Sequence, residues 1–225
     1  MKSVIFDLDG TLVDSEPNYY ESGRRTLARH GVPDFSWEQH ARFIGIGTLE
    51  TLQILKERYA IRTPVDRLLA EQNAAYLELA RAGTEVFPEM RKFAERLHAE
   101  GVPTAVASGS SREAIEAVLA GTGLDAVLTT VVSAEEVAHG KPAPDVFLEA
   151  ARRLGVGPAD CVVVEDAAPG VLAARAAGMD CVAVPYAPRT PGDAAFAEAG
   201  LLFAGGQREF RADTAYDWVR ARPTD

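Results

Sequence analysis

Residues 2–16 read KSVIFDLDGTLVDSE. A short β-branched apolar run, SVIF, leads directly into Asp7 and Asp9, and Asp14 follows soon after. A run of this kind reads as a strand buried on both faces, as the strands of a parallel sheet are. Two mutually repelling carboxylates then sit at the mouth of a buried strand, which is costly unless a cation neutralises them. In an extended segment residues two apart point to the same side, so Asp7 and Asp9 can address one reacting centre. Gly10 lets the chain turn sharply after them.

Similar apolar runs recur along the chain: PTAVAS (103–108), AVLTTVVS (126–133), CVVVE (161–165) and CVAVP (181–185), with a weaker LLFA near Leu201. Amphipathic helical stretches lie between them, several ending at a glycine as helix C-termini often do. Strands alternating with helices imply parallel pairing through right-handed crossovers. The expected fold is α/β, a doubly wound Rossmann-like parallel sheet. One segment breaks the alternation. From 16 to 83 the pattern is helical with no convincing strand, so a smaller all-helical domain (16–83) is expected inside a core of 1–15 and 84–225. The crossings near Asp14–Pro17 and Gly83–Pro88 are expected to act as hinges. Asp14 itself has two open readings, helix capping at the hinge or support of a site.

In open parallel sheets ligands bind beyond the carboxyl ends of the strands. Asp7 and Asp9 follow the first strand there, Ser108 and Gly109 end the second, Lys141 in HGKPAPD follows the third, and Glu165 with Asp166 ends the fourth. Carboxylates gathered in this way suit a hard cation bound through oxygen, Mg²⁺ being the usual one. A phosphate beside it would accept from Lys141, from the Ser108 hydroxyl and from N–H groups at the start of the next helix. SSRE (110–113) reads as a capping box with Ser110 as N-cap and Glu113 three residues on. An aspartate can attack phosphorus as a nucleophile, and a second can protonate the leaving oxygen and then take a proton from water.

The chain has 225 residues, 47% of them hydrophobic, enough to bury a sizeable core. A formal net charge of −10 disfavours nonspecific nucleic-acid binding and means that an anionic substrate needs a local cation. Cys161 and Cys181 each open an apolar run and read as inert core thiols. No apolar run is long enough to span a bilayer, and no signal peptide is expected with charge arriving at Asp7 and Asp9. A cytoplasmic protein without a membrane or nucleic-acid partner is therefore expected. A monomer is expected too, because two domains complete the site without a second subunit. GIGTLE (45–50) lacks the third glycine and the preceding strand of a dinucleotide loop, and reads as a turn in the helical domain. His139 reads as a loop residue, and His30, His40 and His98 as surface. The acidic excess reads as solvated surface.

DLDGT (7–11), Ser108, Lys141 in GKPAPD and EDAAPG (165–170) together resemble the four motifs of the haloacid dehalogenase-like hydrolase superfamily, in the same order and strand context. The helical insert resembles the small cap of the branch that contains phosphoglycolate phosphatase, beta-phosphoglucomutase and sugar-phosphate phosphatases. The resemblance implies Asp7 as nucleophile and Asp9 as acid and base. It implies Mg²⁺ held by the Asp7 carboxylate, the Asp9 backbone carbonyl and Asp166, with Glu165 acting through water, and a phosphoryl group held by Ser108, Gly109 and Lys141. Tyr19, Tyr20 and Thr48 are candidates for substrate contact from the cap. The implied activity is Mg²⁺-dependent hydrolysis of a small phosphorylated metabolite such as a sugar phosphate. A beta-phosphoglucomutase-like phosphosugar mutase is the alternative, disfavoured because Tyr19 and Thr48 fall where the mutase has a cap histidine and a phosphate-gripping arginine. A receiver-like phospho-acceptor module is a remote one. Many relatives carry serine where Ala167 stands, so a hydrogen bond to the metal ligands is expected to be missing.

Overall fold

The computed structural model describes residues 1–44, 46–186 and 194–224. In chain order the elements are β1 (Ser3–Phe6), β2 (Val13–Asp14), α1 (Glu16–Arg29), α2 (Trp37–His40), α3 (Thr48–Arg58), α4 (Val65–Ala82), β3 (Glu85–Val86), α5 (Pro88–Ala99) and β4 (Thr104–Ser108). Then follow α6 (Arg112–Thr122), β5 (Thr130–Ser133), α7 (Asp145–Leu154), β6 (Cys161–Glu165), α8 (Ala168–Ala176), β7 (Asp180–Ala183), β8 (Leu201–Leu202) and α9 (Ala212–Arg220).

The chain forms two compact units, one of Met1–Asp14 with Glu85–Asp225 and the other of Ser15–Thr84. The first holds a six-stranded sheet in the order β5-β4-β1-β6-β7-β8, every pair parallel. The chain leaves β1 for β4 and β5 on one side and returns to β6 on the other. The reversal opens a crevice at the carboxyl ends of the central strands, the usual place for a ligand in such sheets.

β1 shows why its residues choose a central parallel strand. Val4, Ile5 and Phe6 are all 0% exposed, so both faces are covered. Ile5 packs in a core with Ala105, Val132, Phe147, Val163 and Val171. Phe6 points to the opposite face, as the period of two requires, and meets the Phe93 ring edge-on at 5.7 Å. Phe93 in turn packs on Phe210 (6.1 Å), and Phe210 on Phe203 (5.0 Å). Cys161 and Cys181 are buried and free. Burial pushes the Cys161 thiol up to about 11, out of the reactive range.

β5 is shorter than the apolar run suggested. AVLTTVVS becomes strand only at Thr130, after a 3₁₀ turn at Leu124–Ala126. Its register starts at Ala105↔Thr130, close to the beginning of β4, so earlier residues have no strand to pair with. β2 and β3 pair antiparallel as a two-residue ribbon, Val13↔Val86 and Asp14↔Glu85, where the sequence carries no strand period.

The second unit is helical. Its core is Leu27, Phe35, Phe43, Leu52, Leu55, Ile61 and Leu68. α2 is a single turn held by a capping box between Ser36 and Gln39. Two histidines here are not surface residues as the sequence suggested. His30 Nε2 lies 2.8 Å from Glu71 Oε2, and His40 Nε2 lies 2.9 Å from Glu16 Oε2, both part-buried. His98 is exposed as expected. Within GIGTLE, Gly45 lies outside the described residues, and Gly47 is the N-cap of α3. Among the described residues no helix is long and apolar enough to cross a membrane.

Phe93 joins α5 to β1 and to the C-terminal segment. Phe93→Ala should therefore lower unfolding free energy by about 3–5 kcal/mol in urea titration, the range for a truncated core phenylalanine. A loss below about 1 kcal/mol would contradict its place between Phe6 and Phe210.

Candidate active site

The carboxyl ends of β1, β4 and β6 bring the acidic residues together. Asp7 directly follows β1 and stays tied to the sheet, its N–H donating to Val164 O at 2.9 Å. The residue is only 6% exposed. Glu165, the last residue of β6, is 1% exposed. Lys141 enters from the loop between β5 and α7. Its ammonium donates to Asp7 Oδ1 at 2.6 Å, to Glu165 Oε1 at 2.7 Å and to Ala107 O at 3.2 Å. That uses all three donors of the group. The ammonium also lies 4.8 Å from the centre of the Phe147 ring.

Electrostatics follow from this packing. Burial pushes the Asp7 carboxyl up to about 7. Lys141 opposes the rise, and Glu165 and Asp9 add to it. Asp166 is raised well above the usual carboxylate range, first by burial and then by Glu165 and Asp7. Burial works against the charged Lys141, but Asp7 and Glu165 outweigh it and hold its pKa above the ordinary lysine value. Three carboxylates here face one ammonium, an imbalance that a further cation would relieve.

Asp166 meets the first motif at close range. Thr11 Oγ1 donates to Asp166 Oδ1 at 3.3 Å. Gly10 has φ +81°, and a Cβ added there would come within 2.4 Å of Asp166 Oδ2, so both its backbone angle and its bareness are used. Gly170, in the first turn of α8, plays the same part for the other member of the pair. A Cβ there would lie 1.8 Å from Glu165 Oε1. The DLD and ED segments, far apart in sequence, therefore lie against each other.

Asp9 takes different partners. Its Oδ2 accepts from Ser110 Oγ at 2.6 Å and from Ser108 Oγ at 3.3 Å. β1 ends at Phe6, so the extended-chain argument does not reach these two aspartates, and they turn to different neighbours. Ser108 Oγ also accepts from Ser110 N at 3.0 Å, and Gly109 between them is exposed. The helix cap falls one residue later than the sequence suggested. Ser111, not Ser110, is the N-cap of α6, and its side chain accepts from Ala114 N at 3.2 Å. Ser110 is thereby released from capping, and its hydroxyl goes to Asp9. Ser133 at the tip of β5 supports the same loop, donating to Ser110 O at 2.7 Å.

Ala167 reaches Glu165 through its backbone alone. Its backbone N–H donates to Glu165 Oε2 at 2.8 Å, a bond that any residue but proline supplies. Asp14 does not cap α1. Its carboxylate accepts from the Tyr186 hydroxyl at 2.8 Å, and Ser15 holds the N-cap position. His139 lies in a loop with Nδ1 3.1 Å from Asp145 Oδ1. Among the described residues no three His, Cys, Asp or Glu side chains form a metal cluster of their own. Tyr19, Tyr20 and Thr48 belong to the helical unit. Tyr19 stacks on Tyr76 at 4.3 Å, Tyr20 donates its hydroxyl to Phe35 O at 3.2 Å and packs against Trp37, and Thr48 opens α3.

A model of the haloacid dehalogenase-like hydrolase family matches residues 1–178. The bifunctional riboflavin kinase/FMN phosphatase of Arabidopsis thaliana is 35% identical over 190 residues, 83% of this chain. The matched part is 49% of that protein, so the chain spans about half its length. The fructose-1-phosphate phosphatase YqaB of Escherichia coli is 37% identical over 181 residues, 80% of this chain and 95% of the relative. Among solved structures, CbbY from Rhodobacter sphaeroides in complex with phosphate matches 91% of this chain and 96% of its own, with TM-score 0.77 and 25% identity.

Glycine 170 gives a test in which two effects oppose each other. Replacing a helical glycine by alanine ordinarily gains up to about 1 kcal/mol. Gly170→Ala should instead lower the urea midpoint, because its methyl would displace Glu165 and with it the Lys141 contact. A raised midpoint would contradict the crowding at this position.

Proposed function

The chain belongs to the haloacid dehalogenase-like hydrolase family, and from that membership we propose that it hydrolyses a small phosphomonoester, such as a sugar phosphate, through an aspartyl-phosphate intermediate. The observation that carries the reading is the buried Lys141 ammonium shared by Asp7 and Glu165 at 2.6 and 2.7 Å. It supplies positive charge beside a carboxylate at the mouth of the crevice, as attack on a phosphate dianion by an anion requires. The FMN and fructose 1-phosphate named for two relatives are both phosphomonoesters, which supports that substrate class.

In the proposed reaction an Asp7 oxygen attacks phosphorus, and the bond from phosphorus to the ester oxygen breaks. Asp9 gives its proton to the departing oxygen. It then takes a proton from water, which attacks the phosphorus of the acyl phosphate and frees Asp7. The Ser108 and Ser110 hydroxyls, both bonded to Asp9 Oδ2, orient that carboxyl. Ser108, Gly109 and Lys141 are proposed to hold the phosphoryl oxygens, Lys141 by turning its donor from Ala107 O (3.2 Å) and Ser108 its hydroxyl from Asp9 (3.3 Å) onto the bound phosphate.

Asp7, Asp166 and the Asp9 carbonyl are the proposed Mg²⁺ ligands, with Glu165 acting through water. The donor set fits. All are hard oxygens, the two carboxylates are buried beside Glu165 with the single Lys141 ammonium set against all three, and Mg²⁺ commonly takes one or two carboxylates and keeps water for the remainder. Bound there, Mg²⁺ would neutralise this charge and polarise a phosphoryl oxygen. The helical unit Ser15–Thr84 is proposed as the cap that sets substrate choice, with Tyr19, Tyr20 and Thr48 as its candidate contacts. A monomer working in the cytoplasm completes the proposal.

A screen of phosphorylated metabolites with and without Mg²⁺ tests the reading. Release of inorganic phosphate that depends on Mg²⁺ is expected. From a hexose 1-phosphate the expected product is free phosphate, whereas an isomerised sugar phosphate would instead support a mutase. Asp7→Asn should abolish turnover with the fold intact by circular dichroism, and near-normal rates in that variant would refute the nucleophile assignment. Asp9→Asn should lower kcat by about 10²–10⁴-fold, the usual contribution of a positioned acid and base.

A further inference from the structure

The turn that follows Asp7 is bonded at one carbonyl after another. Leu8 O accepts from Leu12 N (2.9 Å) and Val13 N (3.2 Å), Leu12 O from Phe87 N (3.1 Å), and Val13 O from Gly10 N (2.8 Å). The carbonyls of Gly10 and Thr11 are reached by no neighbour within the turn. Both accept from a single side-chain amide almost two hundred residues away, Gln207 Nε2, at 3.2 and 2.9 Å. These are the Gly10–Thr11 and Thr11–Leu12 peptide units, which flank the Cα carrying the Thr11 hydroxyl that bonds Asp166. Their tilt sets where the Thr11 side chain points, and the first of them is joined through Gly10 to the Asp9 carbonyl.

Gln207 is itself held rigidly. It sits on a 3₁₀ turn, Gly206–Arg208. Gly206 has φ +63°, and a Cβ there would come within 2.3 Å of Pro185 O, so the turn is pressed against the end of the β7 segment. Its far side is fixed by Phe210, 0% exposed, whose N–H donates to Gly206 O at 3.0 Å. Phe210 packs through Phe93 onto Phe6, the residue before Asp7. The same aromatic stack thus anchors both the reacting strand and the clamp upon its turn. Gln207 lies beyond residue 178, where the family match ends.

We propose that Gln207 is a positioning residue for the catalytic turn, its amide N–H₂ locking the Gly10 and Thr11 carbonyls so that Asp7, Asp9 and Thr11 keep their reactive orientation. The proposal rests on the phosphohydrolase reading above for its catalytic consequence, and on geometry alone for the clamp. It requires a donor at position 207 rather than mere bulk.

Four proteins test it: wild type, Gln207→Met, Gln207→Glu and Gln207→Lys, each assayed for kcat and KM and for hydrogen exchange of the peptide spanning residues 8–13. Met keeps the volume without a donor. Its kcat should fall about 10- to 100-fold with KM little changed, the scale set by a small misplacement of reacting groups, and exchange in residues 8–13 should quicken. Glu, an acceptor facing two carbonyl oxygens, should fall further. Lys restores a donor and should recover most of the activity and the protection. A Met variant with wild-type kcat and exchange overturns the proposal, as does a Lys variant no better than Met. Should wild type itself release no phosphate from any phosphomonoester, the functional reading falls, while exchange still decides the clamp.

Discussion

One buried ammonium organises the catalytic unit. Lys141 arrives from the β5–α7 loop and bonds Asp7 after β1, Glu165 at the end of β6 and the Ala107 carbonyl in β4. Taking a lysine charge out of water costs several kcal/mol, and only good geometry with filled hydrogen bonds offsets it. All three donors are filled here, so the charge holds separate strand ends to one point. Removing either acid would leave a buried charge short of a partner, which is why this cluster constrains the rest of the sheet edge. Yet one ammonium does not balance every acid gathered around it. Asp166 stands beside it with its acid form favoured by burial and by the charges of Glu165 and Asp7. A site whose acids cannot all ionise beside one ammonium is suited to a divalent cation, which would favour their charged forms, and after it to a phosphate.

Two missing side chains matter as much as those present. Gly10 gives way to Asp166 and Gly170 to Glu165, so each member of the ED pair occupies the space that a Cβ would need. The carboxylates are consequently confined by backbone on one side and by Lys141 or Thr11 on the other. This confinement limits the rotamers open to them and keeps the site ready before any ligand arrives.

The sequence made the sheet legible where burial is two-sided. SVIF, TAVAS and CVVVE are continuous apolar runs because both faces are covered, and their polar ends announce the crevice. It was less informative where pairing depends on a distant partner. The strand expected from Ala126 begins only at Thr130, because β4 has nothing to offer the earlier residues. The two-residue ribbon of Val13–Asp14 with Glu85–Val86 is too short to show any period. Ser110 and Ser111 are equally good N-caps by type, and only the position of Asp9 decides that Ser110 serves the site while Ser111 caps the helix. His30 and His40 looked like surface residues because helix periodicity does not tell which glutamate of another helix lies opposite. Tyr186 and Gln207 carry no local signal at all. Their contacts with Asp14 and with the Gly10 and Thr11 carbonyls exist only through the fold.

The acidic cluster on the tips of β1 and β6 is proposed to be completed by a divalent ion. Thermal unfolding followed with increasing Mg²⁺ measures this without any substrate, since an ion that binds only the folded state raises the midpoint by mass action. The midpoint is expected to climb with Mg²⁺ in the wild-type protein and to lose that dependence in Asp166→Asn. A wild-type midpoint indifferent to Mg²⁺, or an Asp166→Asn variant that responds as wild type does, would contradict it.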